Sequence, residues 1–282
     1  MIIGFIGTGN MGGAILKGYA KFSGDSDNRI LIHNKSTEEN EAMAAAIQQT
    51  CGNSPKIEIC NDNKSLCEKA DLIIIGVKPN VIDSILSEIA GAYKAAVDEE
   101  GLPTKLIVSM AAGVSIEHIE GFLGANAKII RIMPNTPAMV GEAMISMSRN
   151  GYASDEDFAK ATEVLSAVGR VVGVEESLIH CVIGVSGSSP AYTYMYIQAL
   201  ADAAVANGMD KESARIFAAQ SVLGAAKMVL ESKDSLDQLR INVCSPGGTT
   251  IEAVNKLFEN GFMDDVKEGF QAAVERSKEL TK

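Results

Sequence analysis

Short apolar runs separated by amphipathic stretches mark residues 1–174. Residues 1–6, 29–33, 57–60, 72–77, 106–109 and 128–133 have the length and composition of strands, most apolar at 72–77. Between them the pattern turns helical at residues 10–22, 61–69, 81–96 and 115–123; in the first, Met11, Ile15 and Tyr19 recur four apart and share one face. A further strand at 143–148, a helix at 155–168 ended by Gly169, and a last strand at 170–174 complete this part. From about Glu175 no strand pattern appears. Alanine-rich amphipathic segments follow at 190–206, 211–231, 235–241, 249–260 and 264–281, punctuated by Gly208, Gly247-Gly248 and Gly261. The pattern predicts two domains, 1–174 with a doubly wound α/β sheet and 175–282 as a helical bundle.

The first strand leads directly into Gly7-Thr8-Gly9-Asn10-Met11-Gly12, the G-x-G-x-x-G spacing, and then into the first helix. Strand, tight glycine turn and helix form the context in which that spacing binds a dinucleotide. Gly7 allows the sharp turn, Gly9 lets the backbone approach a pyrophosphate, and Gly12 lets the helix sit close to the strand. The phosphates then rest on free N–H groups at the positive end of the helix. Ligands of open α/β sheets lie beyond the carboxyl ends of the strands. That rule puts Val77, Lys78 and Pro79 at the site, together with the loop Met110-Ala111-Ala112-Gly113, whose small residues leave room for a flat ring. The end of the second strand bears on cofactor choice. Sites for NAD usually place Asp or Glu there to accept from the ribose hydroxyls; here Asp25 and Asp27 precede the strand, in the polar turn 23–28, and Asn34-Lys35-Ser36-Thr37 follow it. These groups donate hydrogen bonds, and Lys35 adds positive charge, which suits a 2′-phosphate and hence NADPH, with NADH remaining open. The same residues also read as a turn that caps the next helix through Ser36 or Thr37, with Glu38 to Glu41 near its positive end.

A net charge of −11 speaks against a phosphate-backbone partner, which requires a basic footprint. The five cysteines form no C-x-x-C pair, and the three histidines (His33, His118, His180) are scattered, so neither a disulfide framework nor a metal site is expected. With no apolar run long enough for a bilayer and no targeting signal, the cytoplasm is the expected compartment.

A second glycine-rich stretch, Cys244-Ser245-Pro246-Gly247-Gly248-Thr249-Thr250-Ile251, places an N-cap serine and a first-turn proline before free N–H groups at Gly247, Gly248 and Thr249. It reads either as a carboxylate cradle, with the Thr250 hydroxyl one step further in, or as a well-capped bundle helix. With this stretch in view, the chain resembles the pyrroline-5-carboxylate reductases over essentially its whole length. The resemblance rests on the first glycine motif, Val77-Lys78-Pro79, Ala111-Ala112-Gly113, Met133-Pro134-Asn135-Thr136-Pro137, Gly187-Ser188-Ser189-Pro190-Ala191-Tyr192 and, above all, Ser245-Pro246-Gly247-Gly248-Thr249-Thr250. It implies a Rossmann domain followed by an all-helical dimerisation domain, with dimers that often assemble into decamers. It also implies hydride transfer from NADPH to the C=N bond of a cyclic imino acid, giving proline. By resemblance, Gly7 to Gly12 hold the pyrophosphate, Asn34 and Lys35 the adenosine phosphate, and Asn63 the adenine side, while Val77, Lys78, Pro79 and Ala111 line the nicotinamide. The loop Ser245, Gly247, Gly248, Thr249 and Thr250, supplied by the partner subunit, holds the substrate carboxylate. Thr250 hydrogen-bonds the ring nitrogen as the catalytic donor; Glu176 matches a position near the substrate and Asn242 one near the cofactor. Two positions depart from the family pattern: Ile241, where many relatives have Asp, and Ser189, where glycine is usual. A β-hydroxyacid dehydrogenase shares the opening glycine motif but needs a lysine on the helix at 189–206, which has none.

Overall fold

The computed structural model describes residues 1–23, 28–51 and 56–281. Most of the polar turn, including Asp25 and Asp27, lies outside the described residues. The chain divides into two compact units, Met1–Gly187 with Val274–Lys282, and Ser188–Ala273. The division falls later than the 174/175 boundary read from the sequence, because residues 175–187 stay with the sheet and the C-terminal residues return to it.

The first unit is built on an eight-stranded sheet in the order β3-β2-β1-β4-β5-β6-β7-β8. Its strands are β1 (Ile2–Ile6), β2 (Arg29–His33), β3 (Lys56–Ile59), β4 (Leu72–Ile75), β5 (Leu106–Ser109), β6 (Lys128–Met133), β7 (Ala143–Arg149) and β8 (Gly169–Gly173). Strands β1 to β6 pair in parallel, in the 3-2-1-4-5-6 order of a doubly wound sheet. β7 runs antiparallel to β6. The link between these two is a short 3-10 turn, Thr136–Val140, and a parallel pair would need a longer crossover. β4 and β5 are buried along their whole length, which explains their nearly unbroken apolar sequence.

Six helices sandwich the sheet: α1 (Asn10–Ser23), α2 (Thr37–Cys51), α3 (Asn63–Lys69), α4 (Ile82–Ala95), α5 (Ile116–Leu123) and α6 (Asp155–Ser166). Strand alternation sends Phe5, Ile32, Ile74, Val108 and Ile130 into one core with Ile15, Leu16 and Tyr19 of α1 and Val164 and Leu165 of α6. Leu31, Ile73, Ile75, Ile107 and Ile129 face the other core, against Leu66 of α3, Leu86 and Ile89 of α4, and Ile119 of α5. The sequence pattern did not resolve the 3-10 turn Thr136–Val140, the short helix α7 (Ile179–Val182) or the π-helical turn Ile183–Gly187. Asn135 ties two of these together: its Nδ2 donates to the Ser186 carbonyl at 3.0 Å and its Oδ1 accepts from Met144 N at 2.9 Å.

The second unit contains α8 (Ser189–Ala206), α9 (Lys211–Glu231), α10 (Leu236–Val243), α11 (Thr249–Glu259) and most of α12 (Phe262–Glu279). Asp210 caps α9 by accepting from Ser213 N at 3.0 Å, and Ser235 caps α10 by accepting from Gln238 N at 3.1 Å. Of the helix residues only Ala214 and Ala218 are buried, whereas Met195, Phe217, Leu236 and Val243 each stay more than three-fifths exposed. A single copy of this unit therefore leaves unburied the apolar surface that its helices carry.

His180 of α7 bonds through Nδ1 to Ser277 Oγ at 2.8 Å, tying the 176–187 segment to the returning C-terminal residues within the first unit. Desolvation, the Arg131 charge and the Lys278 charge lower its pKa from 6.5. The unfolded chain then binds this proton more readily than the folded one. The contribution to stability is present above pH 6.5 and is lost as pH falls toward the lower folded value. In urea unfolding at about pH 7.5 and about pH 5.5, His180→Gln is expected to lose less stability on acidification than the wild type.

Candidate active site

The glycine turn after β1 is shaped by close backbone contact. Gly7 has φ of +84°, a conformation that disfavours side chains, and its N–H donates to the His33 carbonyl at 3.0 Å. A Cβ on Gly12 would strike the Gly7 carbonyl oxygen, so α1 sits against the turn as its glycine spacing requires. A Cβ on Gly9 would meet nothing within 4 Å. The glycine reserved for a pyrophosphate thus opens onto free space, and α1 carries no acidic residue in its first turn to oppose a bound anion. The turn therefore fits a dinucleotide phosphate.

Asn34, at the end of β2, braces this turn. Its Oδ1 accepts from Thr8 N at 2.6 Å, and its Nδ2 donates to Thr8 Oγ1 at 2.7 Å and to Asn40 Oδ1 at 2.9 Å. Asn40 Oδ1 also accepts from Asn34 N at 2.7 Å, and all three residues are buried. Both amide hydrogens of Asn34 are thereby engaged inside the protein, so in this conformation Lys35 is the exposed donor of the Asn34–Lys35 pair. Ser36, not Thr37, precedes α2, and its Oγ accepts from Glu39 N at 3.3 Å.

Asn63 opens α3 and is buried; its backbone N and its Nδ2 both donate to the Glu88 carboxylate, at 3.3 and 2.8 Å. Since a carboxylate only accepts, the amide orientation is set, and Asn63 Oδ1 remains a buried acceptor without a partner among the described residues. Beyond β4, Val77 packs beside Gly7 while Lys78 and Pro79 are exposed. Ala111 is buried after β5, and Gly113, with φ of +73°, lies against the backbone of Leu280.

Glu176 lies against the same β5–α5 connection. Its Oε1 accepts from Ile116 N at 2.9 Å and from Arg131 Nη1 at 2.8 Å. The sequence reading missed Arg131, although an arginine inside Lys128-Ile129-Ile130-Arg131-Ile132-Met133 is itself the signal: a charge within a buried strand needs a partner. Asn40 and Glu88 were missed as well: Asn40 meets Asn34 across the turn from β2 into α2, six residues apart, and Glu88 meets Asn63 from 25 residues away, and neither separation is a recognisable spacing.

In the second unit, Ser245-Pro246-Gly247-Gly248 forms a β-turn rather than a helix cap. Gly248 N donates to the Ser245 carbonyl at 3.0 Å, Pro246 occupies the first central position, and Gly247 has φ of +69° at the second. The helix α11 begins only at Thr249, so Ser245 is not its N-cap and Gly248 N is not free; Pro246 Gly247 chemistry favours the turn over an earlier helix start. Gly248 stands at the cap position, where no side chain accepts from the first-turn N–H groups. The donors available to an anion are accordingly the first-turn N–H groups of Thr249, Thr250 and Ile251. Asn242, on α10, accepts from Gln238 Nε2 at 2.7 Å.

The steric geometry gives a direct expectation. Gly12→Ala should weaken NADPH binding at least about 10-fold in a fluorescence titration, because the new methyl meets fixed backbone at Gly7. Gly121→Ala, whose Cβ meets nothing within 4 Å, should bind as the wild type does.

Comparison with known proteins places this geometry. Residues 176–280 match the model for pyrroline-5-carboxylate reductase dimerisation, and residues 2–113 match the model for coenzyme F420-dependent NADP oxidoreductases. The chain is 41% identical over 280 residues to a pyrroline-5-carboxylate reductase of Escherichia coli, covering 99% of this chain and 98% of that one. It is similar to the solved pyrroline-5-carboxylate reductase of Coxiella burnetii, with a TM-score of 0.88, 35% identity and coverage of 99% and 98%. It is also similar to the Plasmodium falciparum pyrroline carboxylate reductase solved with NADP bound, with a TM-score of 0.83, 27% identity and coverage of 100% and 98%. With a doubly wound sheet, a helical region matched by the dimerisation model and relatives alike over their full length, the chain belongs to the pyrroline-5-carboxylate reductase family.

Proposed function

We propose that this chain reduces 1-pyrroline-5-carboxylate to L-proline, taking its hydride from NADPH, with NADH as the weaker alternative. Together with family membership, the observation that carries this reading is the N-terminus of α11, where a Pro-Gly turn leads into Thr249 and Thr250 with no side chain closing the first-turn N–H groups. That arrangement suits a small carboxylate, the one permanent charge of the imino acid. We assign dinucleotide binding to residues 1–174 and dimerisation with substrate binding to 175–282, a functional division that the compact units, which part after Gly187, do not follow.

In this reading Gly7, Thr8, Gly9, Asn10, Met11 and Gly12 take the pyrophosphate, with Asn34 acting through Thr8 to hold the turn. Lys35 takes the adenosine phosphate, Asn63 offers its unpartnered acceptor on the adenine side, and Val77, Lys78, Pro79 and Ala111 border the nicotinamide. By the family resemblance, Asn242 is assigned to the cofactor. NADPH, when bound, supplies the hydride for the C=N carbon, and the ring nitrogen keeps the proton of the iminium form. In a second copy, Thr249 and Thr250 orient the substrate by its carboxylate, and Ser245, Gly247 and Gly248 shape the turn that presents them. Thr250 donates a hydrogen bond to the ring nitrogen of the neutral imine; once that nitrogen is protonated its N–H donates to the Thr250 hydroxyl oxygen instead, and Glu176 offers a negative charge to the iminium. Positioning then provides most of the rate, since no covalent intermediate is required.

The exposed apolar surface of the helical unit supports a homodimer, which larger assemblies such as a decamer would extend. Among the described residues no helix is long and apolar enough to cross a membrane; we assign the protein to the cytoplasm, with small molecules rather than nucleic acid as its ligands. The deciding experiment is NADPH consumption with 1-pyrroline-5-carboxylate and product analysis for proline. Turnover with 3-hydroxy acids in place of the imino acid would overturn the reading. Thr250→Ala is expected to lower kcat about 10- to 100-fold with NADPH affinity unchanged, and unaltered kinetics would remove Thr250 from the mechanism.

A further inference from the structure

Arg131 sits in the middle of β6, in register with Ser109 of β5 on one side and Ser148 of β7 on the other. Its side chain is only 5% exposed, between Ile130 and Ile132 of a strand that otherwise fills cores. Burying a guanidinium is costly, and replacing a buried ion pair by apolar side chains of similar size is often neutral or stabilising. Folding alone therefore gives little reason for an arginine here. Its partner is Glu176, and the bond uses Glu176 Oε1 at 2.8 Å. The same oxygen accepts from Ile116 N, at the start of the helix that follows the Ala111–Gly113 loop. Two donors thus converge on one oxygen and leave Oε2 outside both bonds. The carboxylate is pinned from beneath by the sheet and from the side by α5, with 32% of its side chain exposed.

We propose that Arg131 is a positioning residue for substrate binding, acting through Glu176 to hold its carboxylate beside the β5–α5 loop. The proposal rests on the reading of Glu176 as a substrate contact. A cyclic iminium presents a localised positive charge on its ring nitrogen, and a fixed carboxylate attracts it more effectively than one that swings between rotamers. Arg131 restricts that swing. It cannot contact the ring nitrogen to advantage itself, because like charges repel. Its influence should accordingly fall on the imino acid and not on the dinucleotide.

The test compares wild type, Arg131→Met, Arg131→Lys, Glu176→Ala and the Arg131→Met/Glu176→Ala double variant. Each is measured for thermal stability, for NADPH affinity by fluorescence without substrate, and for kcat and KM with 1-pyrroline-5-carboxylate. Arg131→Met should raise KM about 10-fold or more while NADPH affinity stays within about 2-fold, with Arg131→Lys in between. In the Glu176→Ala background the Met substitution should change KM no further. Should Arg131→Met fail to fold, Arg131→Lys must show the raised KM with unchanged NADPH affinity, and a wild-type KM there overturns the proposal. A folded Arg131→Met enzyme with wild-type KM also overturns it, as do parallel losses of NADPH and substrate affinity that add to those of Glu176→Ala. If Glu176→Ala leaves KM unaltered, the substrate role of Glu176 falls and the proposal with it; if Glu176→Ala raises KM and Arg131→Met does not, only the positioning role falls. Absence of wild-type turnover would instead sink the assigned reaction.

Discussion

Everything at the cofactor end of the sheet depends on three glycines being in contact. Gly7 closes β1, Gly12 lies in the first turn of α1, and Gly76 follows β4. A Cβ on Gly76 would come within 3.3 Å of the Gly12 Cα, and one on Gly7 within 3.0 Å of the Gly76 carbonyl oxygen. With no side chain at any of the three, helix, turn and neighbouring strand end meet backbone to backbone. That approach aims the N–H groups of α1 at the space above the strands, where an anion meets the positive end of the helix dipole. A methyl group at the crossing would lift the helix and move both the phosphate donors and the β4 end that leads to Val77 and Lys78.

Backbone contact alone does not hold such a turn in one conformation; buried polar side chains complete it. Thr8, Asn34 and Asn40 satisfy one another within a small volume, so the amide orientations are set by their partners rather than by solvent. Glu88 does the same for Asn63, and Arg131 with Ile116 N does so for Glu176. In each case the group expected to face a ligand is held by a residue on a different element. At Asn63 and Glu176 this gives rigidity without added bulk: one oxygen, Oδ1 or Oε2, stays outside those bonds while the rest of the side chain is tied down.

The architecture was largely legible in the sequence because buried parallel strands are short continuous apolar runs and the helices between them carry a 3.6-residue period. β2, β5 and β6 begin and end where that pattern places them. β4 ends at Ile75, earlier than the apolar run suggests, because Gly76 and Val77 have turned toward the Gly7 crossing. Less legible were features decided by distant partners. The 176–187 segment owes its turns to contacts such as Asn135 to Ser186, which no local period encodes. At Ser245 the local signals conflicted: Ser-Pro is a good helix opening, and Pro-Gly is a better turn. The turn prevails because Gly247 alone reaches φ of +69° without strain. Arg131 shows the opposite case, in which a residue that breaks the strand pattern was the clue and its meaning lay in Glu176, far along the chain.

The helices of this protein also differ in what closes their positive ends. α3, α5, α6, α9 and α10 are sealed by Asp62, Ser115, Ser154, Asp210 and Ser235, each accepting from a first-turn N–H. α6 adds Asp155, Glu156 and Asp157 within its first turn, which leaves no field for an external anion. α1 has neither feature of that kind in its first turn, and α11 begins behind a glycine instead of a capping side chain. Both are entered through a glycine of positive φ, Gly7 or Gly247, which turns the chain without placing a Cβ in the approach. In a chain of net charge −11, such backbone donors suit phosphate or carboxylate without a cluster of lysines that the surrounding acids would neutralise. They also remain charged-equivalent at every pH at which the helix stands. Selectivity must then come from the few side chains beside each turn, and that is where the roles proposed for Lys35, Glu176 and Thr250 fall.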